Sequence, residues 1–177
     1  MRMIEISKEK FEEFANKNPY SNYCQTASYG MVMSETGFDY SFVAYTTNDL
    51  EILAAGMFLT KKIGKIYYYA YCPKGYIIDY TDTELVRKFT RNLIKYYKRK
   101  KIIFLKINPE IPIATIDYKN NFERITNENI NILDNLKSLG FKKRKELNPL
   151  ELLQPKLTAL VNLKDYDVNK LDKKFRS

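Results

Sequence analysis

The chemistry open to this sequence is restricted first by its complete lack of histidine. Without an imidazole, Ser/His/Asp and Cys/His nucleophilic machinery is excluded, and the commonest metal ligand is missing. The two cysteines, Cys24 and Cys72, lie far apart without CxxC spacing, so we expect two buried thiols and neither a metal site nor a disulfide. Any catalysis must use carboxylates, lysines, tyrosines or the substrate itself. The sequence identifies no catalytic residue, metal or cofactor.

The remaining candidate side chains each have a functional and a structural interpretation. Lys74, in the turn Pro73-Lys74-Gly75, could bind a phosphate or stay solvated. Asp79 could act as a general base, although a carboxylate just before a helix more often serves a turn or cap. The run Tyr67, Tyr68, Tyr69 could stack on bases or sugars, but alternate members of a strand face the core. Arg176 could bind an anion near the end of the sequence.

The net charge of +9, from 30 Lys and Arg against 21 Asp and Glu, favours a polyanionic partner. Nucleic acid, an anionic membrane surface and phosphorylated metabolites all satisfy this condition. No apolar run approaches the roughly 20 residues of a membrane span. The N-terminal MRMIEISKEKFEEF is typical of a charged amphipathic helix and not of a signal peptide, so we expect a cytoplasmic protein.

The stretch from Lys65 to Asn108 must position these candidates, because it predicts a strand, a turn, a helix and a second strand. A helix between two strands is the crossover of a parallel or mixed sheet, so the fold class is α/β. Thr81 and Glu84 match a capping box at the helix start. The basic run from Lys98 to Lys101 fits either a nucleic-acid partner or the negative end of the helix dipole.

Flanking patterns add helices and strands to this unit. Ser7 is expected to cap a first helix, and a second is predicted over residues 26–35. Two further strands, over 38–44 and within the run LEILAAGMFLTKK at 50–62, complete a three-strand meander, and Gly56 suggests a bulge or a close backbone contact. Residues 113–124 carry little pattern. A helix over 127–139 ending at Gly140, a strand over 157–163 and a last helix after Asp167 follow.

The layout of meander, crossover helix and strand resembles acetyl-CoA-dependent acyltransferases. That resemblance implies a glycine-rich loop before the central helix, whose backbone N–H groups bind the pyrophosphate. The sequence has YIIDYTDTE there, and neither GxxxxGK[ST] nor GxGxxG occurs. Coenzyme A is therefore disfavoured.

Ordered landmarks instead resemble the FemA/FemB/FemX family, which adds amino acids from aminoacyl-tRNA to the stem peptide of peptidoglycan precursors. The likeness covers nearly the whole chain. Its motifs are, in order, Gln25 with Tyr29-Gly30 and Val32, YCPKGYIID over 71–79, FLKINPEI over 104–111, LGF over 139–141, Gln154-Pro155-Lys156, and the terminal LDKKFRS.

This resemblance implies an acetyltransferase-like (GNAT-like) mixed sheet flanked by helices. Family members carry two such domains, and this chain matches the first: residues 1–164 would form it, and 165–177 would begin a truncated linking helix. The implied substrate-binding residues are Tyr29, Lys74, Gly75, Lys156 and Arg176. Because the family's second domain supplies much of the substrate grip, the isolated domain is expected to be inactive.

Four positions depart from the family pattern. Tyr76 stands where the family's turn has its second proline, so a rigid residue is lost. Met33 stands where some relatives have a phosphate-binding Lys, and it offers no charge. Lys74 and Lys156 replace arginines, so each keeps a cation but loses the bidentate geometry of a guanidinium.

Three hypotheses follow. The first is an aminoacyltransferase domain using aminoacyl-tRNA and a muramyl-peptide precursor. The second is a non-catalytic module that binds RNA, a nucleotide-linked precursor or a partner domain through its basic surface. The third, ranked lowest, is an acetyl-CoA-dependent N-acetyltransferase. The apolar stripe Val168, Leu171 and Phe175 also predicts association with a second domain or a second copy.

Overall fold

A five-stranded mixed sheet forms the centre of the chain in a computed structural model that describes residues 1–117 and 123–143. Residues Met1–Lys142 form one compact unit. The helices and strands are β1 (Arg2–Ile6), α1 (Lys8–Lys17), α2 (Ala27–Ser34), β2 (Asp39–Thr46), β3 (Ile52–Ile63), β4 (Tyr67–Cys72), α3 (Thr83–Arg99), β5 (Ile102–Ile107), β6 (Ala114–Asp117), β7 (Glu123–Thr126) and α4 (Ile130–Ser138).

The sheet has the order β1-β2-β3-β4-β5, and only β4 and β5 are parallel to each other. Helix α3 connects these two strands, which confirms the predicted crossover. The antiparallel meander of β2, β3 and β4 is confirmed as well. The unit Met1–Lys142 is thus a mixed α/β domain, and the carboxyl ends of β4 and β5 lie side by side.

Helices cover both faces of the sheet because side chains alternate along its central strands. Val43 and Tyr45 belong to a core cluster with residues of α3 and α4, whereas Phe42 and Ala44 belong to a second cluster with α1 and α2. Phe11 of α1 stacks on Phe42 with ring centroids 4.4 Å apart. The two clusters fix the sheet between two helical layers.

The two flanking helix starts follow the prediction, and the central one does not. Ser7 and Thr26 accept hydrogen bonds from the backbone of Lys10 and Tyr29, as N-caps do. At α3 the capping box is wrong: Asp82 caps the helix by accepting from the Leu85 N–H at 2.9 Å. Thr81 instead donates to Asp79, because that carboxylate lies within reach two residues earlier.

Two further predictions are corrected. Residues 2–6 form strand β1 and not the start of a helix, since β2 pairs with them along its edge from Ile6↔Phe42 to Arg2↔Thr46. Residues 113–124, which showed little pattern, include strand β6 and the first two residues of β7, and these two strands pair antiparallel. The predictions for 157–163, for the last helix and its Val168, Leu171 and Phe175, and for the domain boundary at 164 lie outside the described residues.

Gly56 lies at a close approach to the β4 side of the sheet. In its pairing with β2 it is in register opposite Val43, and the register shift of β2 and β3 occurs at Tyr45/Thr46. A Cβ at Gly56 would lie 2.9 Å from the Phe58 ring and 3.2 Å from Cys72 Sγ. Both cysteines are buried and unpaired, as predicted. Within the described ranges, no helix is long and apolar enough to cross a membrane.

Candidate functional site

A tight turn at the carboxyl end of β4 carries Lys74 and Gly75, two of the predicted substrate-binding residues. The Gly75 N–H donates to the Cys72 carbonyl at 3.2 Å and closes a β-turn with Pro73 and Lys74 at its centre. Lys74 has φ +59° and Gly75 φ +81°, in the region that favours glycine. At Gly75 a side chain would also strike Pro109, 2.8 Å away. Glycine is therefore required at 75, whereas Lys74 tolerates a strain of about 1 kcal/mol.

Lys74 is held in this strained conformation by residues that follow β5. Its N–H donates to Asn108 Oδ1 at 3.0 Å, and its Nζ forms an ion pair with Glu110 at 3.0 Å. The Lys74 side chain is only 15% exposed, whereas that of Glu110 is 59% exposed. The hydrogen bond to Glu110 raises the pKa of Lys74. An anion reaching this cation must therefore displace the more exposed Glu110 carboxylate.

Tyrosine side chains lie beside this turn. The rings of Tyr23 and Tyr29 meet edge to face at 6.3 Å, and Lys106 Nζ lies 4.6 Å from the centre of the Tyr71 ring. Burial raises the pKa of both Tyr29 and Tyr71, so their phenols stay protonated and can donate hydrogen bonds. We call the group Tyr23, Tyr29, Tyr71, Lys74, Asn108 and Glu110 the turn site.

Gln25 supports the turn site from inside the protein. It is fully buried, and its amide donates to the Pro73 carbonyl at 2.7 Å while accepting from the Met57 N–H at 2.7 Å. The sequence identified Gln25 as a family landmark but gave it no role. No local pattern in the sequence indicates this role, because the partners of Gln25 lie 32 and 48 residues away.

Asp79 serves the turn before α3. Its carboxylate accepts from the Thr81 N–H at 2.8 Å and from the Thr81 hydroxyl at 2.6 Å, and the latter bond lowers the pKa of Asp79. A carboxylate with a lowered pKa is a weaker proton acceptor, so these contacts favour the structural interpretation. Asp79 and Asp82 also place two carboxylates at the positive end of the α3 dipole.

Of the five predicted substrate-binding residues, Lys74 and Gly75 are adjacent in the turn, and Tyr29 packs against Tyr23, which lies close enough to Lys74 to influence its pKa. Lys156 and Arg176 lie outside the described residues. The tyrosine run lies at the other end of β4: Tyr69 stacks on Phe104 at 5.2 Å, and Tyr67 is exposed. Among the residues that the structure describes, no group of three or more Cys, Asp or Glu side chains could hold a metal ion.

Comparison with known proteins relates this sequence to a family. A family model described as "FemAB family" matches residues 6–177. The chain is 29% identical over 170 residues to the aminoacyltransferases FemA of two Staphylococcus aureus strains, RF122 / ET3-1 and MW2. Each alignment covers 93% of this chain and 39% of the relative, so the chain spans about two fifths of the length of those relatives.

A solved structure shares the fold. The crystal structure of FemX superposes with a TM-score of 0.61 at 23% sequence identity, over 80% of this chain and 32% of FemX. Because the family model spans almost the entire sequence, this chain belongs to the FemAB family.

Proposed function

We propose that the chain is the first acetyltransferase-like domain of an aminoacyltransferase of peptidoglycan bridge synthesis, acting in the cytoplasm. The donor would be an aminoacyl-tRNA and the acceptor an amine of a muramyl-peptide precursor. The family match over residues 6–177 carries this proposal. Attack of an amine on an aminoacyl ester needs orientation, a proton acceptor and stabilisation of the oxyanion, and none of these requires histidine.

The turn site would bind the acceptor. Lys74 would exchange Glu110 for an anionic group of the precursor, since Glu110 is exposed enough to swing aside. The neutral phenols of Tyr29 and Tyr71 would donate hydrogen bonds beside it. The chain spans about two fifths of the length of its relatives. In this proposal a second domain would supply what else the reaction needs.

The start of α3 argues against the acetyl-CoA alternative. A pyrophosphate would need the N–H groups of the first helical turn, but Asp82 already accepts from Leu85 there and Asp79 adds a second negative charge. Tyr76 and Tyr80, which are 1% and 9% exposed, fill the segment between the turn and α3. If the domain has the proposed GNAT-like fold, these features favour a branch of that fold that does not use coenzyme A.

A second candidate function, RNA binding without catalysis, is supported by the outer face of α3. Arg91, Lys95, Lys98 and Arg99 lie on this face at helical spacing. They are exposed, and none forms an ion pair with a described residue. The helix dipole accounts for cations in the last turn but not for Arg91 in the middle of the helix.

Binding and transfer assays distinguish these functions. The chain would be titrated with a nucleotide-linked muramyl pentapeptide, and amino-acid transfer from charged tRNA would be measured with and without a relative's second domain. Precursor binding with transfer supports the aminoacyltransferase domain. RNA binding with no precursor binding supports the second candidate, and saturable binding of acetyl-CoA would overturn both.

A further inference from the structure

The pairing of β3 with β4 is interrupted where the turn site begins. Antiparallel pairs run from Ile63↔Tyr67 to Leu59↔Tyr71, and a single bridge resumes at Ala55↔Ile77. Between these pairs, residues 56–58 face the longer segment 72–76. The additional residues of segment 72–76 are not paired with β3, and they form the turn that carries Lys74. Continuing the register would place Met57 opposite Pro73, which has no N–H to donate.

The side-chain amide of Gln25 occupies this interruption. On the β3 side it accepts from the Met57 N–H at 2.7 Å and lies 3.4 Å from the Met57 carbonyl oxygen. On the other side it donates to the Pro73 carbonyl at 2.7 Å. A primary amide has both a donor and an acceptor, so it can satisfy both chains as a peptide group of an intervening strand would.

Local hydrogen bonds place Gln25 in this position. Asn22 Oδ1 accepts from the Cys24 N–H at 3.0 Å, and the Asn22 carbonyl accepts from the Gln25 N–H at 2.9 Å. Thr26 then begins α2 as its N-cap. The connection between α1 and α2 is thus folded so that Gln25 is the residue directed into the sheet.

We propose that Gln25 is a positioning residue whose amide replaces a strand pair between β3 and β4 and thereby holds Lys74 in the turn site. Gln25 fixes the turn through Pro73 from the β3 side, and Asn108 fixes it through the Lys74 N–H from the β5 side. The inference rests on the proposed function only in taking the turn site as the ligand-binding site.

Two replacements of similar size test the need for both a donor and an acceptor. Gln25→Met removes both groups. Gln25→Glu keeps the acceptor, but its carboxylate regains a donor only when protonated, and burial raises the pKa of such a group. The backbone amide signals of Lys74 and Gly75 would be followed by two-dimensional ¹H–¹⁵N NMR at about pH 8 and about pH 5, against wild type at the same pH. Affinity for the nucleotide-linked muramyl pentapeptide would be measured in parallel.

We expect Gln25→Met to shift both amide signals at both pH values and to weaken binding roughly tenfold. Gln25→Glu should behave like Gln25→Met at the higher pH and recover the wild-type signals at the lower one. Wild-type signals in Gln25→Met, or no recovery in Gln25→Glu, would overturn the proposal. So would a failure of both variants to fold at either pH, because the amide would then support the whole domain. If wild type does not bind the pentapeptide, the proposed function fails while the NMR comparison still decides the role of Gln25.

Discussion

Lys74 combines a strained backbone with an ion pair, so its replacements separate the two effects. Lys74→Gly removes the cost of φ +59° but loses the pair with Glu110. These terms are each about 1 kcal/mol, so the free energy of unfolding should change by less than about 1 kcal/mol. Lys74→Met keeps the strain and loses the pair, and should be the less stable of the two. Urea unfolding of the three proteins measures the order, and a more stable Lys74→Met would contradict it.

Asp79 gives a pH-dependent prediction at the same scale. Its pKa is lowered in the folded protein by the Thr81 hydroxyl, so its stabilisation is complete above the unfolded pKa of about 3.9 and is lost as the pH falls through the folded pKa. Asp79→Ala should cost about 1 kcal/mol at neutral pH. This difference from wild type should shrink below about pH 4. Urea unfolding across pH tests it, and a difference that grows on acidification would contradict it.

At the scale of the helices and strands, the sequence predicted Thr81 as the cap of α3, whereas the structure shows Asp82 in that role. Asp82→Ala removes the side chain that accepts from Leu85 and should cost about 1 kcal/mol of unfolding free energy. Thr81→Ala removes only the hydroxyl bond to Asp79 and should cost less. Thermal unfolding of the two variants measures the order. A larger loss for Thr81→Ala would favour the capping box instead.

The outer face of α3 gives a prediction about RNA. Arg91→Glu with Lys95→Glu should reduce affinity for a short RNA duplex by at least about tenfold at low salt, and should flatten its salt dependence. Lys8→Glu with Lys10→Glu, an equal charge change at exposed positions of α1, is the matched control. Equal losses in both pairs of variants would show that net charge, and not this face, binds RNA.

Local signals accounted for most elements but not for those defined by distant partners. The alternation in β2, the amphipathic α3 and the glycine after α4 are readable within a few residues. Strand β1 was missed because its pairing with β2 depends on residues some 40 positions away. The roles of Gln25 and Asn108 were missed for the same reason, since each acts on the turn at 73–74 from another part of the chain. Asp82 was missed because Thr81 gave a better match to a short motif.

At the scale of the whole molecule, the mixed sheet places the carboxyl ends of its parallel strands side by side. That arrangement brings the turn after β4 against Asn108 and Glu110 after β5. The crossover predicted from the sequence required parallel or mixed strands, but the sequence did not show that Lys74 pairs with Glu110. Ligand binding at the turn site therefore requires the Lys74–Glu110 pair to open for an anionic group.

Calorimetric titration of the nucleotide-linked muramyl pentapeptide tests that claim most directly. Wild type should bind saturably, and Lys74→Met should bind at least about tenfold more weakly because a charge-assisted hydrogen bond is lost. Lys65→Met, at an exposed turn before β4, is the control and should bind like wild type. Equal affinities in wild type and Lys74→Met, or no binding by wild type, would contradict the account.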